Sequence, residues 1–403
     1  MVSLNRVGKT GSQQAIIDLL RISGPQTQAS IARSTGLSPA TVNNVIQSLK
    51  ETGIVDVNKI NGRDTSVSLV SRTGILVSII LGHNGFTVSI FDFVKQKRIN
   101  FENPCIGESL VRNTPHDLVK FLNNIVKDNI HYENKISGIV VGVQAPLNTT
   151  TGAIQSWAIN RMPAWGDISI GNFISDHFNV PVIIENDANL ATLAEWTWGA
   201  GVKTDNFINI TCSSQVGGGI VLSGRIFKGS NGMAGEFGHI VIDQEGPICF
   251  CGSRGCLSSL VSERALVRKL KLDNHYQNEI SLQDIILLAK KGDAACQRLI
   301  REAGNQIGFA IANIAKIFAP EMISIGGELS LAGELLFQSI QNILIEQNLE
   351  AVSPSISLVA AKFVDDAVML GSVAYFLSEK NQGISELPMW MIKQDKIYNQ
   401  IYA

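Results

Sequence analysis

The chain has 403 residues, of which 45% are hydrophobic and 17% are charged. This is the composition of a globular protein with ample material for a core, and the length predicts two or three domains. It excludes a disordered or collagen-like chain, and no apolar run approaches the roughly 20 residues that span a bilayer. Because the N-terminal stretch MVSLNRVGKTGSQQ lacks an apolar signal-peptide core, we expect a cytoplasmic protein with reduced cysteines.

The net charge of −2 is unevenly distributed along the chain. Residues 1–72 hold eight Lys and Arg against four acidic residues, a net charge of +4. The remainder holds 25 basic and 31 acidic residues, a net charge of −6. This asymmetry is compatible with nucleic-acid binding by the first segment alone, although charge by itself does not distinguish binding from chance.

Three helices are predicted in this first segment. The first covers about 12–22, and the second covers 27–36, which follows a Pro and ends at a Gly. The third covers 38–53, where Ser38 is the predicted N-cap and a Pro follows it. Its apolar residues recur at i, i+3, i+4 and i+7, which places them on one face. Residues 54–70 then read as two strands around an Asn-Gly turn, a β-hairpin.

Helix, turn, helix and hairpin together predict a winged helix-turn-helix domain over residues 1–72. Small polar side chains on the second helix of such a pair contact base edges and phosphates, and a basic residue on the wing contacts a phosphate or the minor groove. The candidate DNA contacts are Ser38, Thr41, Asn43, Asn44, Gln47 and, on the wing, Arg63. One copy reads only a short half-site, so we expect a dimer or tetramer on operator DNA. A small protein-interaction module is the alternative interpretation.

Residues 73–380 change to apolar strands separated by long helices, which indicates an α/β domain. Strands are predicted at 75–82, 86–93, 136–143, 180–187, 206–212 and 321–327, and helices at 117–130 and 294–319. Glycine-bearing strand–turn segments occur twice, at 81–85 and 213–221. Two similar lobes around a cleft, at about 73–187 and 188–380, fit this repetition. The actin-like, ribonuclease H-like fold of sugar kinases is built in that way.

A single short segment, 238–256, contains one histidine and three cysteines. His239, Cys249, Cys251 and Cys256 supply one imidazole and three thiolates, a complete tetrahedral ligand set for zinc. Since four protein ligands leave no open position for a water molecule, we expect Zn²⁺ to stabilise the loop at 239–256 and not to catalyse. Buried free thiols are the alternative interpretation.

Two motifs of the body resemble those of the ROK family, which is named for repressors, open reading frames and kinases. GEFGH at 235–239 followed by CFCGSRGC at 249–256 resembles the family pattern G-E-x-G-H and C-x-C-G-x-x-G-C-x-E. ENDANLATLAE at 185–195 is similar to a second family block, N-D-A-N. With its helix-turn-helix segment, the chain resembles the repressor branch, which includes xylose, glucose-responsive and N-acetylglucosamine repressors. The resemblance covers essentially the whole chain and implies the two-lobed sugar-kinase fold.

The resemblance also implies a sugar site in the cleft. The residues that match family sugar contacts are Asn186, Asp187, Glu236 and His239. Asp187 matches the catalytic base of the family kinases, and His239 would have one nitrogen on zinc and the other towards the sugar. A helix cap or strand-end turn is the alternative interpretation of Asn186 and Asp187.

The chain departs from the family sugar site at two positions. The Glu that follows the third cysteine by two residues is replaced by Ser258, and the Asn of the segment 156–165 falls on Ala158. Asn160 lies close by and is the nearest candidate for that contact. Sugar binding is therefore expected to be weaker, altered in specificity, or lost.

Both phosphate-binding loops of the family kinases are altered here. In the first loop, D-x-G-G-T, Ile80, His83 and Asn84 replace the Asp, the second Gly and the Thr. The second loop, usually G-T-G-x-G-G-G, has Ser213 and Gln215 in its first half. Loop glycines let backbone N–H groups approach phosphate, and an aspartate helps to hold Mg²⁺. Because phosphoryl transfer depends on such positioning, we expect no kinase activity.

Taken together, these features predict a DNA-binding repressor of carbohydrate genes that a small sugar effector controls. A sugar kinase with a DNA-binding head is one alternative, which Asp187 favours. A repressor controlled by a protein partner is another, which Ser258 and Ala158 favour. Its candidate docking segment is the C-terminal tail, 381–403, which contains Trp390, Tyr398 and Tyr402. The tail is better interpreted as a C-terminal helix that packs on its own body.

Overall fold

The computed structural model describes residues 12–23, 25–51, 55–61, 64–69, 74–82, 85–93, 95–104, 114–130, 136–272, 276, 280–347, 356–380, 387–388 and 391–392. Several residues singled out from the sequence lie outside these ranges: Arg63, His83, Asn84, Trp390, Tyr398 and Tyr402. Within the described ranges, no helix is both long enough and apolar enough to cross a membrane.

The N-terminal domain confirms the predicted order of three helices and a hairpin. Its elements are α1 Ser12–Ser23, β1 Gln26–Thr27, α2 Gln28–Thr35, α3 Pro39–Glu51, β2 Val55–Asn61 and β3 Asp64–Leu69. The helix α2 begins where the Thr27 hydroxyl accepts a hydrogen bond from the Ser30 N–H, and it ends at Gly36, whose φ of 71° is left-handed. Strand β3 pairs antiparallel with both β1 and β2. The buried faces of α1, α2 and α3 meet in one small core with these strands.

The first lobe of the body is a five-stranded sheet with helices on it. Its elements are β4 Ile75–Gly82, β5 Gly85–Asp92, β6 Lys97–Pro104, α4 Pro115–Asn129, β7 Ile136–Val143, α5 Ile170–Phe178 and β8 Val182–Asn186. The strand order is β6-β5-β4-β7-β8, with antiparallel pairing from β6 to β4 and parallel pairing from β4 to β8. The apolar faces of α4 and α5 pack on this sheet in one core.

The second lobe repeats this plan. Its elements are α6 Asp187–Trp198, β9 Phe207–Cys212, β10 Val216–Leu222, β11 Arg225–Ile226, α7 Leu257–Val261, α8 Glu263–Lys271, α9 Leu282–Lys290, α10 Ala294–Phe318, β12 Met322–Gly326, α11 Glu334–Glu346 and β13 Ser357–Ala360. The strand order is β11-β10-β9-β12-β13, antiparallel from β11 to β9 and parallel from β9 to β13. Two lobes of the same topology confirm the actin-like architecture expected from the sequence.

The last long helix of the described chain, α12 Ala367–Glu379, corrects the predicted division into lobes. We expected residues 188–380 to form the second lobe, but α12 packs on β4 and β7 of the first sheet and on α6. Its Leu370, Val373 and Phe376 share a core with Leu76 and Val140 of that sheet. The apolar runs in the sequence predict where the strands lie, but they do not predict on which sheet a later helix packs.

The described residues of the C-terminal tail, 387–388 and 391–392, include two that pack on this same core, Leu387 and Met391. Met391 is fully buried there, and its carbonyl accepts a hydrogen bond of 2.7 Å from Arg98. The same guanidinium donates to Asp366, just before α12, at 2.6 Å. The described part of the tail therefore packs on its own body, which agrees with the second of the two interpretations.

Candidate functional site

A cleft of about 240 Å³ lies between the two lobes. The first lobe contributes Ile80 on β4, Gln144 just after β7 and Asn186 at the end of β8. The second lobe contributes the turn between β9 and β10, the segment around Glu236, and Ser258 at the start of α7. In open α/β sheets, ligands bind outside the carboxyl ends of the strands, and the first-lobe residues and the turn after β9 lie at or near such ends.

Asn186 and Asp187 are placed by the start of α6. The Asn186 side-chain oxygen accepts hydrogen bonds from the N–H groups of Ala188 and Asn189, at 2.9 and 3.3 Å, so Asn186 is the N-cap of this helix. Asn186 is therefore a helix cap, as the alternative interpretation predicted, and it also lines the cleft. Asp187 follows at the first helical position, and its carboxylate accepts a hydrogen bond of 2.9 Å from the Ala188 N–H.

Two carboxyl groups and one guanidinium meet in the cleft. Burial raises the pKa of Asp187 to about 6, against the opposing effects of the Ala188 N–H and the Arg161 guanidinium. Burial and the neighbouring Asp187 carboxylate together raise the pKa of Glu236 to about 7, against the opposing effect of the Arg161 guanidinium. Both carboxyl groups thus change their charge near neutral pH. Such groups are suited to hydrogen bonding with the hydroxyl groups of a ligand.

Asn160, predicted as a sugar contact, is not among the residues that line the cleft, and its side chain is exposed to solvent. It lies in the 3₁₀ helix Ser156–Arg161, in which Ala158 points into the core of the first lobe. The next residue, Arg161, lines the cleft instead. Arg161 was not predicted as a cleft residue, because the family pattern of this segment has an amide side chain at the sugar contact. The sequence feature that indicates it is a basic residue directly after Asn160.

The turn that corresponds to the second phosphate loop is held by one hydrogen bond within the turn and by one from the segment that follows β12. The Ser213 N–H donates to the Gln215 carbonyl at 2.9 Å, and the Ser213 hydroxyl accepts from the Glu328 N–H at 2.9 Å. Gly217 lies within β10 and not in the turn, and a Cβ there would lie 2.9 Å from the Ala188 Cβ. This glycine therefore permits the close approach of α6 to β10.

The four predicted metal ligands lie together at one side of the cleft. The ligand atoms of His239, Cys249, Cys251 and Cys256 all lie within 4.8 Å of one another. The Cys251 and Cys256 sulfurs are 3.7 Å apart, and the Cys249 sulfur is 3.5 Å from His239 Nδ1. A tetrahedral ion with metal–sulfur bonds of about 2.3 Å requires sulfur atoms roughly 3.8 Å apart, so the arrangement fits a four-coordinate metal ion. The described cysteines are all free thiols.

The loop around these ligands is held by backbone contacts. The Cys249 N–H donates to the Ser253 carbonyl at 2.8 Å, and the Gly255 N–H donates to the Pro247 carbonyl at 2.8 Å. Gly255 has a φ of 64°, and a Cβ there would overlap the carbonyl oxygen of Asp243, so only glycine fits this turn.

His239 belongs to both the metal cluster and the cleft. Its Nδ1 faces the Cys249 sulfur, whereas its Nε2 lies 4.0 Å from a carboxylate oxygen of Glu236. Burial and the positive charge of Arg161 lower the pKa of His239, which favours the neutral ring that binds metals. One imidazole therefore links the metal cluster to a cleft carboxyl group.

Of the predicted DNA contacts that the structure describes, Ser38 lies just before α3 and the others lie on it between Thr41 and Gln47. Asn43, Asn44 and Gln47 are exposed and lie on the side of α3 away from the core. Ser38 caps the helix, because its hydroxyl accepts from the Thr41 N–H at 3.1 Å and lies 2.8 Å from the Thr41 hydroxyl. Three free amide side chains on an exposed helix face are suited to contact base edges.

Comparisons with known proteins agree with this two-part organisation. A model of the ROK family matches residues 77–379, and a model of a winged helix-turn-helix DNA-binding domain matches residues 11–56. The xylose repressor of Caldicellulosiruptor bescii is 28% identical over 320 residues, which cover 75% of this chain and 78% of that repressor. A glucokinase of Halalkalibacterium halodurans is 35% identical over 256 residues, which cover 60% of this chain and 77% of the kinase.

Solved structures extend the likeness to the N-terminal domain. The crystal structure of a ROK family transcriptional regulator, a homolog of the E. coli MLC protein, superimposes with a TM-score of 0.78. It is 23% identical, and the match covers 92% of this chain and 97% of that chain. At this identity the likeness concerns the fold, which extends over almost the whole of both chains.

Proposed function

The chain belongs to the ROK family and carries a winged helix-turn-helix domain, and we propose that it is a transcriptional repressor of carbohydrate genes that a sugar or sugar derivative controls. The observation that carries this proposal is the combination of an exposed amide face on α3 with a polar cleft in the body. The α3 face supplies contacts with operator DNA, and the cleft supplies carboxyl and guanidinium groups for the hydroxyl groups of a sugar. Relatives named as repressors support this choice.

DNA binding is tested by changing the amide face of α3. We expect the double variant Asn44→Ala/Gln47→Ala to lose about tenfold or more in affinity for a duplex selected from random sequences by the wild-type protein, because each base contact contributes about 1–3 kcal/mol. The matched control is Asn342→Ala/Gln341→Ala, which removes the same two side-chain types from an exposed part of α11. Fluorescence anisotropy measures both. Equal affinity of the two double variants would overturn the DNA-binding role of α3.

The effector site is tested by thermal unfolding with a panel of sugars, sugar phosphates and ATP. A ligand of the folded state raises stability by mass action. We expect one sugar or sugar derivative to stabilise the wild-type protein and to release it from the selected duplex. Loss of this stabilisation in Asp187→Ala, with retention in the exposed-site variant Asp167→Ala, would support the cleft as the site. Stabilisation that survives in Asp187→Ala would contradict it.

We propose further that the four-residue cluster binds zinc. Zinc supplies a positive charge that holds three thiolates and one neutral imidazole together, and such an ion stabilises a loop without catalysing. His239, Cys249, Cys251 and Cys256 would hold it, and the 3.5 and 3.7 Å separations of their ligand atoms support this assignment. Atomic emission on the purified chain should give one zinc per chain. A Cys251→Ser variant should bind substantially less zinc.

The absence of kinase activity is also a proposal. An apolar side chain, Ile80, lines the cleft and offers no ligand to Mg²⁺, and the Ser213 N–H donates within its own turn and is not available to a phosphate. A functional kinase is the competing candidate, because Asp187 lies in the cleft and a glucokinase is 35% identical. An ADP-release assay with a panel of hexoses distinguishes them. Turnover by the wild-type chain that disappears in Asp187→Ala would establish the kinase.

A further inference from the structure

Phe250 stands in the sequence between two of the predicted metal ligands, Cys249 and Cys251, and it is one of the residues that line the cleft. The ring stacks on Trp157 with centroids 6.0 Å apart and an interplanar angle of 17°. The Arg161 guanidinium lies over the same ring, 4.8 Å from its centroid. Phe250 is 44% exposed, so it is held by these neighbours and not by burial in a core.

The two sides of this contact belong to different lobes. Trp157 and Arg161 lie in the 3₁₀ helix Ser156–Arg161, and Trp157 packs against the core of the first lobe. The metal loop belongs to the second lobe, since the Leu257 N–H at its end donates to the Ile240 carbonyl and Leu257 enters the core of that lobe. A second cross-cleft contact lies nearby, where the Gln155 side chain donates to the Asn231 carbonyl at 3.1 Å.

Three of the predicted metal ligands adjoin the Phe250 ring. Cys249 and Cys251 flank it in the chain, and the His239 ring meets it edge-on with centroids 4.9 Å apart. The same His239 ring also meets Trp157 edge-on, at 5.3 Å. An ion bound by these three ligands would fix the backbone on both sides of Phe250 and the imidazole beside it.

We propose that Phe250 is a positioning residue that joins the metal loop to Trp157 and Arg161 of the first lobe, so that closure of the cleft depends on the bound metal. We call Phe250, Trp157 and Arg161 the aromatic clasp. The inference rests on the proposed zinc site and on the cleft as the effector site. It adds that the metal acts on the cleft through the Phe250 ring, which contacts the first lobe, and not through His239 alone.

The size of the effect follows from the contacts in the clasp. An aromatic pair and a partly exposed cation–π contact each contribute enough to shift an equilibrium roughly two- to tenfold. Loss of the metal, or of the Phe250 ring, should therefore shift the balance between closed and open clasp by about tenfold and not abolish folding. Since Arg161 and His239 both line the cleft, opening the clasp also displaces two of its walls.

The experiment uses the full-length chain, with zinc itself as the probe. Acrylamide quenching of tryptophan fluorescence is measured with zinc bound and after chelation, and a Trp157→Phe variant isolates the signal of Trp157. We expect chelation to raise the quenching of Trp157 in the wild-type chain. The Phe250→Ala variant should retain zinc and show high quenching of Trp157 with zinc bound. Chelation should raise that quenching only slightly. The Ile248→Ala variant removes a 70% exposed residue of the same loop and should behave as wild type.

The outcomes separate the clasp from the other proposals. Wild-type quenching in zinc-bound Phe250→Ala, or an unchanged response of this variant to chelation, would overturn the clasp while leaving zinc binding intact. A chain that takes up no zinc would overturn both the zinc site and the clasp, and the DNA-binding test above would be unaffected. If Phe250→Ala loses zinc, the Phe250→Leu variant is used in its place, because leucine keeps an apolar side chain but removes the ring. Quenching equal to that of the wild type in zinc-bound Phe250→Leu would also overturn the clasp.

Discussion

Replacing Asp187 by Asn tests the electrostatics of the cleft. Asn has nearly the same shape, and its side-chain oxygen can still accept the hydrogen bond from the Ala188 N–H. The substitution therefore removes the charge while keeping the local structure at the start of α6. We expect the variant without ligand to be more stable than the wild-type chain above pH 7 and to lose the response to the effector.

The magnitude follows from the raised pKa. Burial raises the pKa of Asp187 from its ordinary value of 3.8 to about 6, so the folded chain favours the neutral carboxyl group. Each pKa unit corresponds to about 1.4 kcal/mol, and the carboxylate is partly accessible through the cleft, so its charge costs about 2–3 kcal/mol of folding free energy. The stability that the neutral form contributes is complete below pH 3.8 and is lost as the pH rises through 6.

The assay is thermal unfolding of both chains between pH 5 and 8 with zinc in excess. The stability difference in favour of Asp187→Asn should be largest at pH 8 and should shrink as the pH falls through 6. Taking the difference between the two chains cancels the effect of pH on the metal ligands. Asp167→Asn, which removes a carboxylate from an exposed site, should show little difference at any pH. A variant that is less stable than wild type at pH 8, or a difference that does not change with pH, would refute the reasoning.

Three further predictions concern the metal loop and the DNA-binding domain. Gly255→Ala should lower the zinc content measured by atomic emission, since its Cβ overlaps the Asp243 carbonyl; Gly252→Ala strains a φ of 90° but its Cβ meets no other atom, so it should lower the zinc content less. Ser38→Ala should destabilise the start of α3 by about 1 kcal/mol, which hydrogen exchange of its first amides would detect. Operator affinity should fall steeply with salt, by a slope of about −0.9 per phosphate contact, and a flat response would argue against phosphate contacts.

The sequence was most informative where a pattern is local. The periodicity of α3, the pairing of β2 with β3 and the apolar strands of the body all depend on neighbouring residues, and the structure confirms them. The His239 and cysteine spacing also predicted which four side chains lie together, because the ligand chemistry restricts the choice to a few residues.

The sequence was least informative where a contact joins distant segments. The return of α12 to the first sheet depends on Phe376 finding room at Gly138, where a Cβ would lie 2.7 Å from its ring. Asn160 was expected in the cleft, but the 3₁₀ helix turns it outwards and brings Arg161 inwards. The one-residue difference follows from the burial of Ala158, which sets the rotation of that helix.

Control of DNA binding by a sugar requires two arrangements of the body that the sugar binds with different affinity, because equal affinity shifts no equilibrium. A complete switch needs a difference of about 5.5 kcal/mol, and weaker control needs less. The contacts of Phe250 with Trp157 and Arg161, and of Gln155 with Asn231, cross the cleft and are partly exposed. Contacts of these kinds contribute about 0.5–1.5 kcal/mol each, which is less than a complete switch requires. The Lys228–Glu185 ion pair also joins the two lobes, so a sugar that favours one arrangement of the body must act on this pair as well as on the clasp.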